Sequence, residues 1–291
     1  MTAALVLPDL IALPKTGPLF TRAALTARRK APASATIPAN AVTLRGLRFD
    51  PAHIAAYNQV CQLPEGTLAL TYPQVLAAPL HMHALIQPNY PFPLLGMVHI
   101  ANVIEQQAPL ALDASYDLRV QVGDSRRVSQ GLEVDIRTEL LSGEQVVWNA
   151  VTTVLHRLKG KPAPRKAPPP APPAVAAQYI PFAVPDDIGR RYAPVSKDYN
   201  PIHLYGLTAQ AFGFPRAIAH GMWSVARCLG QLLPQLDHAP ARLEVRFKQP
   251  LLLPSKVTLK YQPTAAGFDF DLLAREGGKL HLSGRLDGSL K

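Results

Sequence analysis

The segment Ser196-Lys197-Asp198-Tyr199-Asn200-Pro201-Ile202-His203 carries an acid and an imidazole five positions apart, a spacing suited to proton chemistry. Proline excludes the helical conformation for the residue before it, so Asn200-Pro201 bends the chain between Asp198 and His203. A bend of that length turns two polar side chains toward one point. With ordinary pKa values of about 4 and about 6.5, they make a base and a switchable acid/base around one water molecule. Downstream, Ile218-Ala219-His220-Gly221-Met222 opens an apolar helix. A glycine there admits close approach of a ligand to the backbone, and the free amides of a first helical turn stabilise negative charge on a carbonyl oxygen. A polarised carbonyl, an activated water and a proton donor are what water addition to an enoyl thioester requires.

Each of these residues also has a purely structural use. Asp198 suits an Asx-turn or helix cap, and Asn200 suits the turn itself, with support of the acid–imidazole pair as a second role. His203 could be a satisfied surface histidine, and His220 a structural hydrogen-bonding group. Met222 and Trp223 fit a core or a pocket wall.

These residues need elements to hold them. The chain has 291 residues, enough for about two domains. Its clearest boundary is residues 159–178, where seven of twenty residues are proline, an extended spacer without a core. Ahead of it lie an extension at 1–43 and a half at 44–158; the other half is 179–291. The halves look alike in outline. Asp50–Tyr57 and Asp186–Tyr192 read as helices with an acid at the start, and Gly96–Ile104 is matched to Gly221–Leu229 as a second helix, each preceded by a Phe-Pro pair (Phe92-Pro93, Phe214-Pro215). Residues 222, 225, 226, 229, 232 and 233 have the spacing of a buried helical face. Strands are expected at 116–122, 131–140 and 145–155, then at 243–247, 256–261, 268–274 and 279–286. Each half therefore reads as one long helix against an antiparallel sheet, an α+β layout.

Composition narrows the function classes. The net charge is +10, but the extension and the linker account for the excess, and no aromatic residues alternate with their basic ones. That disfavours nucleic acid. Lys197, Arg216 and Arg246-Phe247-Lys248 could meet an anionic carrier of the substrate, although such charges are ordinarily a solvated face. Cys61 and Cys228 are far apart in sequence and fit buried thiols in a reducing compartment. No apolar run approaches a membrane span. Residues 15–48 are acid-free and contain arginines, a faint likeness to a transit peptide, but a cytoplasmic protein with a loose N-terminal extension is preferred. Without a His/Cys cluster or a Gly-rich phosphate loop, no metal or organic cofactor is expected.

Val195–His203, followed by Ala211-Phe-Gly-Phe-Pro-Arg-Ala-Ile-Ala-His-Gly-Met-Trp223, resembles the hydratase motif of the MaoC-like (R)-specific enoyl-CoA hydratases. Thr71–Leu76, Pro79–Met82 and Leu94–His99 look like the longer members with two hot-dog units, the mycobacterial-type 3-hydroxyacyl-thioester dehydratases. The resemblance implies a tandem hot-dog, each unit a sheet wrapped around one long helix, here about 221–233. It implies reversible syn addition of water to a trans-2-enoyl thioester of CoA or a carrier protein. Asp198 and His203 would hold the water, the Gly221 amide would bind the thioester oxygen, and Asn200 would support the pair. Tyr199, Ile202, Phe214, Pro215, His220, Met222 and Trp223 would line the substrate site. A homodimer is compatible with it.

Three departures stand out. Lys197 occupies a position where the family usually has glycine, so it either alters the turn or sets a cation beside the carboxylate. A serine that assists in short members falls, without gaps, at Leu229, with Ser224 the available substitute. The N-terminal half lacks the Asp-x-Asn-Pro-x-His string, and His81, His83 and His99 have no acid in that register. One active site per chain is therefore expected, with the N-terminal unit as partner and wall of the acyl tunnel. The competing readings are a hot-dog acyl thioesterase and a non-catalytic acyl-thioester-binding subunit.

Overall fold

The computed structural model describes residues 5–29, 35–158, 177–275 and 278–288. The proline-rich linker read at 159–178 lies almost wholly outside them. In chain order, the first half contains α1 (Thr16–Leu25), β1 (Ala41–Arg48), α2 (Pro51–Cys61), α3 (Tyr72–Leu85), β2 (Val98–Gln106), β3 (Ser115–Val128), β4 (Gly131–Ser142) and β5 (Gln145–Arg157). The second contains β6 (Gln178–Val184), α4 (Ile188–Ser196), α5 (Pro201–Leu204), α6 (Gly206–Gln210), α7 (Gly221–Leu232), β7 (Pro240–Phe247), β8 (Ser255–Pro263), β9 (Gly267–Ala274) and β10 (Leu280–Gly288).

Local chemistry explains the helix ends. The Asp50 carboxylate accepts the Ala52 amide at 2.9 Å, and Pro51 fills the first turn of α2, where a missing N–H costs nothing. α3 tolerates Pro79 in its interior because it is buried on most sides: Val75, Leu76, Ala77, Leu80, Ala84 and Leu85 are all buried, and packing outweighs one lost backbone bond. α7 is likewise enclosed, with Trp223, Val225, Ala226, Cys228, Leu229 and Leu232 buried.

All ten strands form one antiparallel sheet in the order β1-β3-β4-β5-β2-β7-β10-β9-β8-β6. The order is symmetric about its middle. In each half the first strand is outermost and the second lies at the seam, where β2 pairs β7 from Ala101↔Arg246 to Glu105↔Arg242. Arg242 also forms an ion pair with Glu105 across that seam. α3 and α7 are the helices that the two half-sheets enclose, giving the tandem hot-dog.

Three expectations change. The long helix of the N-terminal half is α3, and Gly96–Ile104 belongs mainly to β2. Short apolar runs do not distinguish helix from strand by period, and β-branched Val98, Ile100, Val103 and Ile104 favour the pleated form. The prolines at 73 and 79 disguised α3. Edge strands β1 and β6 were not foreseen, β6 because Pro181 interrupts it. The extension is also not a loose tail. Val6 and Leu10 bridge to β1, and α1 lays Leu19 and Ala23, one helical turn apart, against Ile86, Met82 and Leu94. The Thr26 hydroxyl donates to Ala23 O and accepts the Leu94 amide at 2.8 Å. Among the described residues no helix is long and apolar enough to cross a membrane.

The halves share one core. Trp223 Nε1 of α7 donates to Val60 O of α2 at 3.1 Å. Further along, α7 passes so close to the end of α2 that a Cβ on Gly230 would lie 2.3 Å from Gln62 O. The glycine is required by that approach.

Candidate active site

α4 ends where Lys197 turns left-handed, at φ 57° and ψ 15°. A residue with a Cβ pays about 1–2 kcal/mol for that conformation, which glycine adopts freely. The usual glycine of the resembling family is thereby explained, and Lys197 keeps the turn at a cost. Ser196 secures it: its hydroxyl donates to Tyr192 O at 3.0 Å and accepts the Asp198 amide at 3.2 Å. The ammonium of Lys197 acts on His53 of α2, whose ring it helps keep neutral after burial, and is not among the groups that set the Asp198 carboxyl.

The two carboxylate oxygens of Asp198 have different surroundings. Oδ1 accepts the Asn200 amide at 3.1 Å, an Asx-turn. Oδ2 faces two imidazoles, 4.0 Å from His203 Nε2 and 3.8 Å from His220 Nε2. Asn200 shapes the bend by capping α5, its Oδ1 accepting the Ile202 amide at 3.4 Å. His203 follows on α5, held close to α4 because Gly189 has no side chain: a Cβ there would sit 1.8 Å from His203 O.

His203 and His220 are buried and stacked, ring centroids 3.8 Å apart. His203 Nδ1 lies 2.8 Å from Ile218 O. Donation of Nδ1–H to that carbonyl leaves the Nε2 lone pair pointing at Asp198. His220 Nε2 donates to Asp198 O at 3.0 Å, tying the Asp198 loop to the start of α7. Burial keeps both rings neutral: His203 falls below its ordinary value despite Asp198 and the Ile218 carbonyl, and His220 falls to about 3 from burial and then from His203. Burial pushes the Asp198 carboxyl up, but His220, His203, the Asn200 amide and His99 outweigh it and hold it below the usual carboxylate range. At neutral pH the site is a carboxylate between neutral imidazoles. The Asp198 side chain is 39% exposed, so water reaches it.

Gly221 opens α7, and its cap residue His220 gives no side-chain bond to the first turn, which leaves those amides available. The glycine is needed here too: a Cβ would lie 2.8 Å from the Phe247 ring of β7. That ring packs edge-on at 4.8 Å against His99 of β2. His99 therefore enters the site from the N-terminal half. Its Nε2 donates to Ala101 O at 3.0 Å, and burial takes His99 down to about 4 against that bond and the charge of Asp198. Sequence reasoning named His99 and Phe247 but did not place them here, because the seam between β2 and β7 brings them in.

The remaining expected residues divide. Tyr199 stands at the rim with its ring edge-on to Phe20 of α1 at 6.5 Å, and Ile202 is half-buried on α5. Met222 reaches the seam, its sulfur 3.9 Å from Asn102 Nδ2. Trp223 turns to α2 and is core. Phe214 and exposed Pro215 lie on the turn after α6, and among the described residues no hydrogen bond or ring contact joins them to the Asp198 cluster. Ser224 is buried, with its hydroxyl donating back to His220 O at 3.2 Å. Asp198, His203 and His220 are the residues that could hold a cation, their ligand atoms lying within 4.8 Å of one another.

Comparison with known proteins bears on the family of the chain. Residues 164–267 match the MaoC like domain. Over 274 residues the chain is 36% identical to 3-hydroxyacyl-thioester dehydratase X of Mycobacterium tuberculosis, covering 92% of this chain and 96% of that protein. The chain belongs to the MaoC-like dehydratase family. The crystal structure of HtdX of Mycobacterium tuberculosis superposes on this MaoC-like chain with a TM-score of 0.73 at 35% identity, over 86% of this chain and 100% of the other. The (R)-specific enoyl-CoA hydratase of Aeromonas caviae is 30% identical over 102 residues, which are 32% of this MaoC-like protein and 76% of the hydratase.

Proposed function

We propose that this MaoC-like protein is a hydro-lyase that reversibly adds water to trans-2-enoyl thioesters with (R) stereochemistry, equivalently a 3-hydroxyacyl-thioester dehydratase. The observation that carries it is the convergence of Asp198 Oδ2 and His203 Nε2, 4.0 Å apart, beside the open first turn of α7. The space between the two atoms suits one water that hydrogen-bonds to both. Family membership points to the same chemistry.

In the hydration direction the thioester oxygen accepts the Gly221 amide, which draws electron density from the double bond. The water oxygen bonds to C3 while its proton passes to the Asp198–His203 pair. Electrons displaced from the double bond gather on the thioester oxygen, where the α7 amide stabilises them. The pair then returns a proton to C2 on the same face, completing syn addition. Polarisation, base and acid all come from the chain, so the reading needs no metal or organic cofactor, and activity should persist in a chelator. His99 and Phe247 close the site from the seam, and apolar α3 offers a wall for the acyl chain.

Mixing the protein with crotonyl-CoA or longer enoyl-CoA should bleach the conjugated thioester absorbance. Asp198→Asn and His203→Ala should each lower the rate by about 10²–10⁴-fold, the usual contribution of positioned acid–base groups. Full activity in either variant overturns the assignment, as does release of free thiol without loss of the enoyl chromophore.

A further inference from the structure

Residues 10–48 contain no acid, and residues 66–104, on which α1 lies, contain no charged residue at all. Two arginines nevertheless converge there. Arg22, Leu25, Thr26, Arg29 and Ile86 line a pocket of about 180 Å³ between α1 and the end of α3. Among the described residues neither arginine has a carboxylate in ion-pair reach. Arg29 is fixed: Nη1 donates to Leu85 O, and Nη2 to Ile86 O and Gln87 O, at 3.3, 2.8 and 3.0 Å. That uses three of its five N–H donors and leaves Nε–H and one Nη1–H on a guanidinium already ordered. Arg22 is exposed and free to swing over it. The two charges oppose each other. Burial holds Arg29 below its ordinary value against the pull of Tyr90, and the Arg22 charge adds to the decrease.

The larger concavity on the outer face of the C-terminal sheet behaves differently. Arg246, Lys260 and Arg285 there are interleaved with Glu244, Asp269 and Asp271, and Arg285 pairs with Asp269 at 3.6 Å. Its charges balance within the protein. Those at α1 do not.

The location connects the arginines to the catalytic loop. Phe20, on α1 just before Arg22, touches Tyr199, the neighbour of Asp198. Arg29 lies nine residues on, past the end of α1 at Leu25 and a single 3-10 turn, so at roughly 1.5–3.3 Å per residue it is within about 17 Å of Phe20. A thioester bound at Asp198 by its carbonyl therefore has its carrier arm within reach of the pair.

We propose that Arg22 and Arg29 form an anion site that binds a phosphate group of the carrier to which the acyl thioester is attached, which rests on the enoyl-thioester reading above. A phosphate accepts charge-assisted bonds from both guanidiniums, bidentate from Arg22 and single from Arg29, and supplies the missing counter-charge. The phosphate can belong to the nucleotide of CoA or to the 4′-phosphopantetheine that CoA and carrier proteins share.

The test compares the same trans-2-enoyl chain on CoA, 4′-phosphopantetheine and phosphate-free pantetheine. Arg29 also caps α3, so the variant is Arg22→Glu. Arg28→Glu, the same charge reversal on the neighbouring exposed turn outside the pocket, is the control. Arg22→Glu should raise KM for the CoA thioester about tenfold, a loss typical of charge-assisted bonds, and by less than about twofold for the pantetheine thioester. An equal rise on 4′-phosphopantetheine identifies the phosphate shared with carrier proteins; a rise on CoA alone identifies the nucleotide phosphates. Equal effects with and without phosphate, no effect at all, or an equal effect of Arg28→Glu overturn the site. Calorimetric titration with CoA separates the two readings. If the wild type hydrates no enoyl thioester yet binds CoA in a manner lost in Arg22→Glu, the function falls and the site stands. If hydration is intact and CoA affinity is unchanged by Arg22→Glu, the site falls and the function stands.

Discussion

At the scale of single residues, protonation states decide the chemistry. The working form holds Asp198 ionised and His203 neutral, and both groups titrate below their ordinary values. kcat/KM for enoyl-CoA should therefore be flat from neutral to mildly alkaline pH and decline on the acid side, with its midpoint below the ordinary histidine value of about 6.5. A midpoint above neutrality would contradict a buried neutral imidazole. Lys197 gives a second prediction. Its left-handed φ of 57° should make Lys197→Gly stabilising by up to about 1 kcal/mol, strain relief being partly offset by the larger entropy of unfolded glycine. Denaturant melts would measure it, with hydration activity staying within a few-fold. The residue pattern was legible to this depth: Asp198, His203 and Gly221 were named from bends and helix starts. Lys197 was recognised as irregular, but its backbone conformation was not.

Helices and strands act by bringing those residues together. α5 reaches α4 only because Gly189 leaves room for His203 O. Gly189→Ala must displace one helix, at about 1–3 kcal/mol for overpacking, and should lower kcat while adding only a methyl remote from substrate. A normal kcat would show that His203 is not positioned by this contact. Gly221→Ala should likewise lose activity, because its Cβ meets the Phe247 ring at 2.8 Å. Phe247→Leu in the same chain should restore part of it if the clash is the cause. The sequence was less informative at this scale. α7 and the central strands followed their periodicities, whereas α3 hid behind two prolines and β2 read as a helix, since tertiary packing outweighs local preference in an enclosed apolar segment.

Over the whole molecule, burial of neutral histidines couples folding to pH. His81 and His220 fall to about 3, His99 and His156 to about 4, burial being the leading cause for each. Between the unfolded value of about 6.5 and those folded values, the unfolded chain holds more protons than the native one, so acid favours unfolding. The melting temperature should drop progressively as pH falls from about 6.5 toward 4, with proton uptake on unfolding measurable by calorimetry in buffers of different ionisation enthalpy. A melting temperature independent of pH in that window would show that the histidines are protonated in the native state.

The sequence by itself determined the chemistry of the loop, the glycine that opens α7 and the division into two similar halves, because bends, caps and helical periodicity are local properties. Only the tertiary structure decided that the site is shared. His99 and Phe247 meet beside Gly221 because β2 and β7 pair at the middle of one continuous sheet. It also placed α1 beside the Asp198 loop and, among the described residues, left Arg22 and Arg29 without acids around one pocket. Those are contacts between segments distant along the chain, and no spacing in the sequence specifies which distant surfaces will meet.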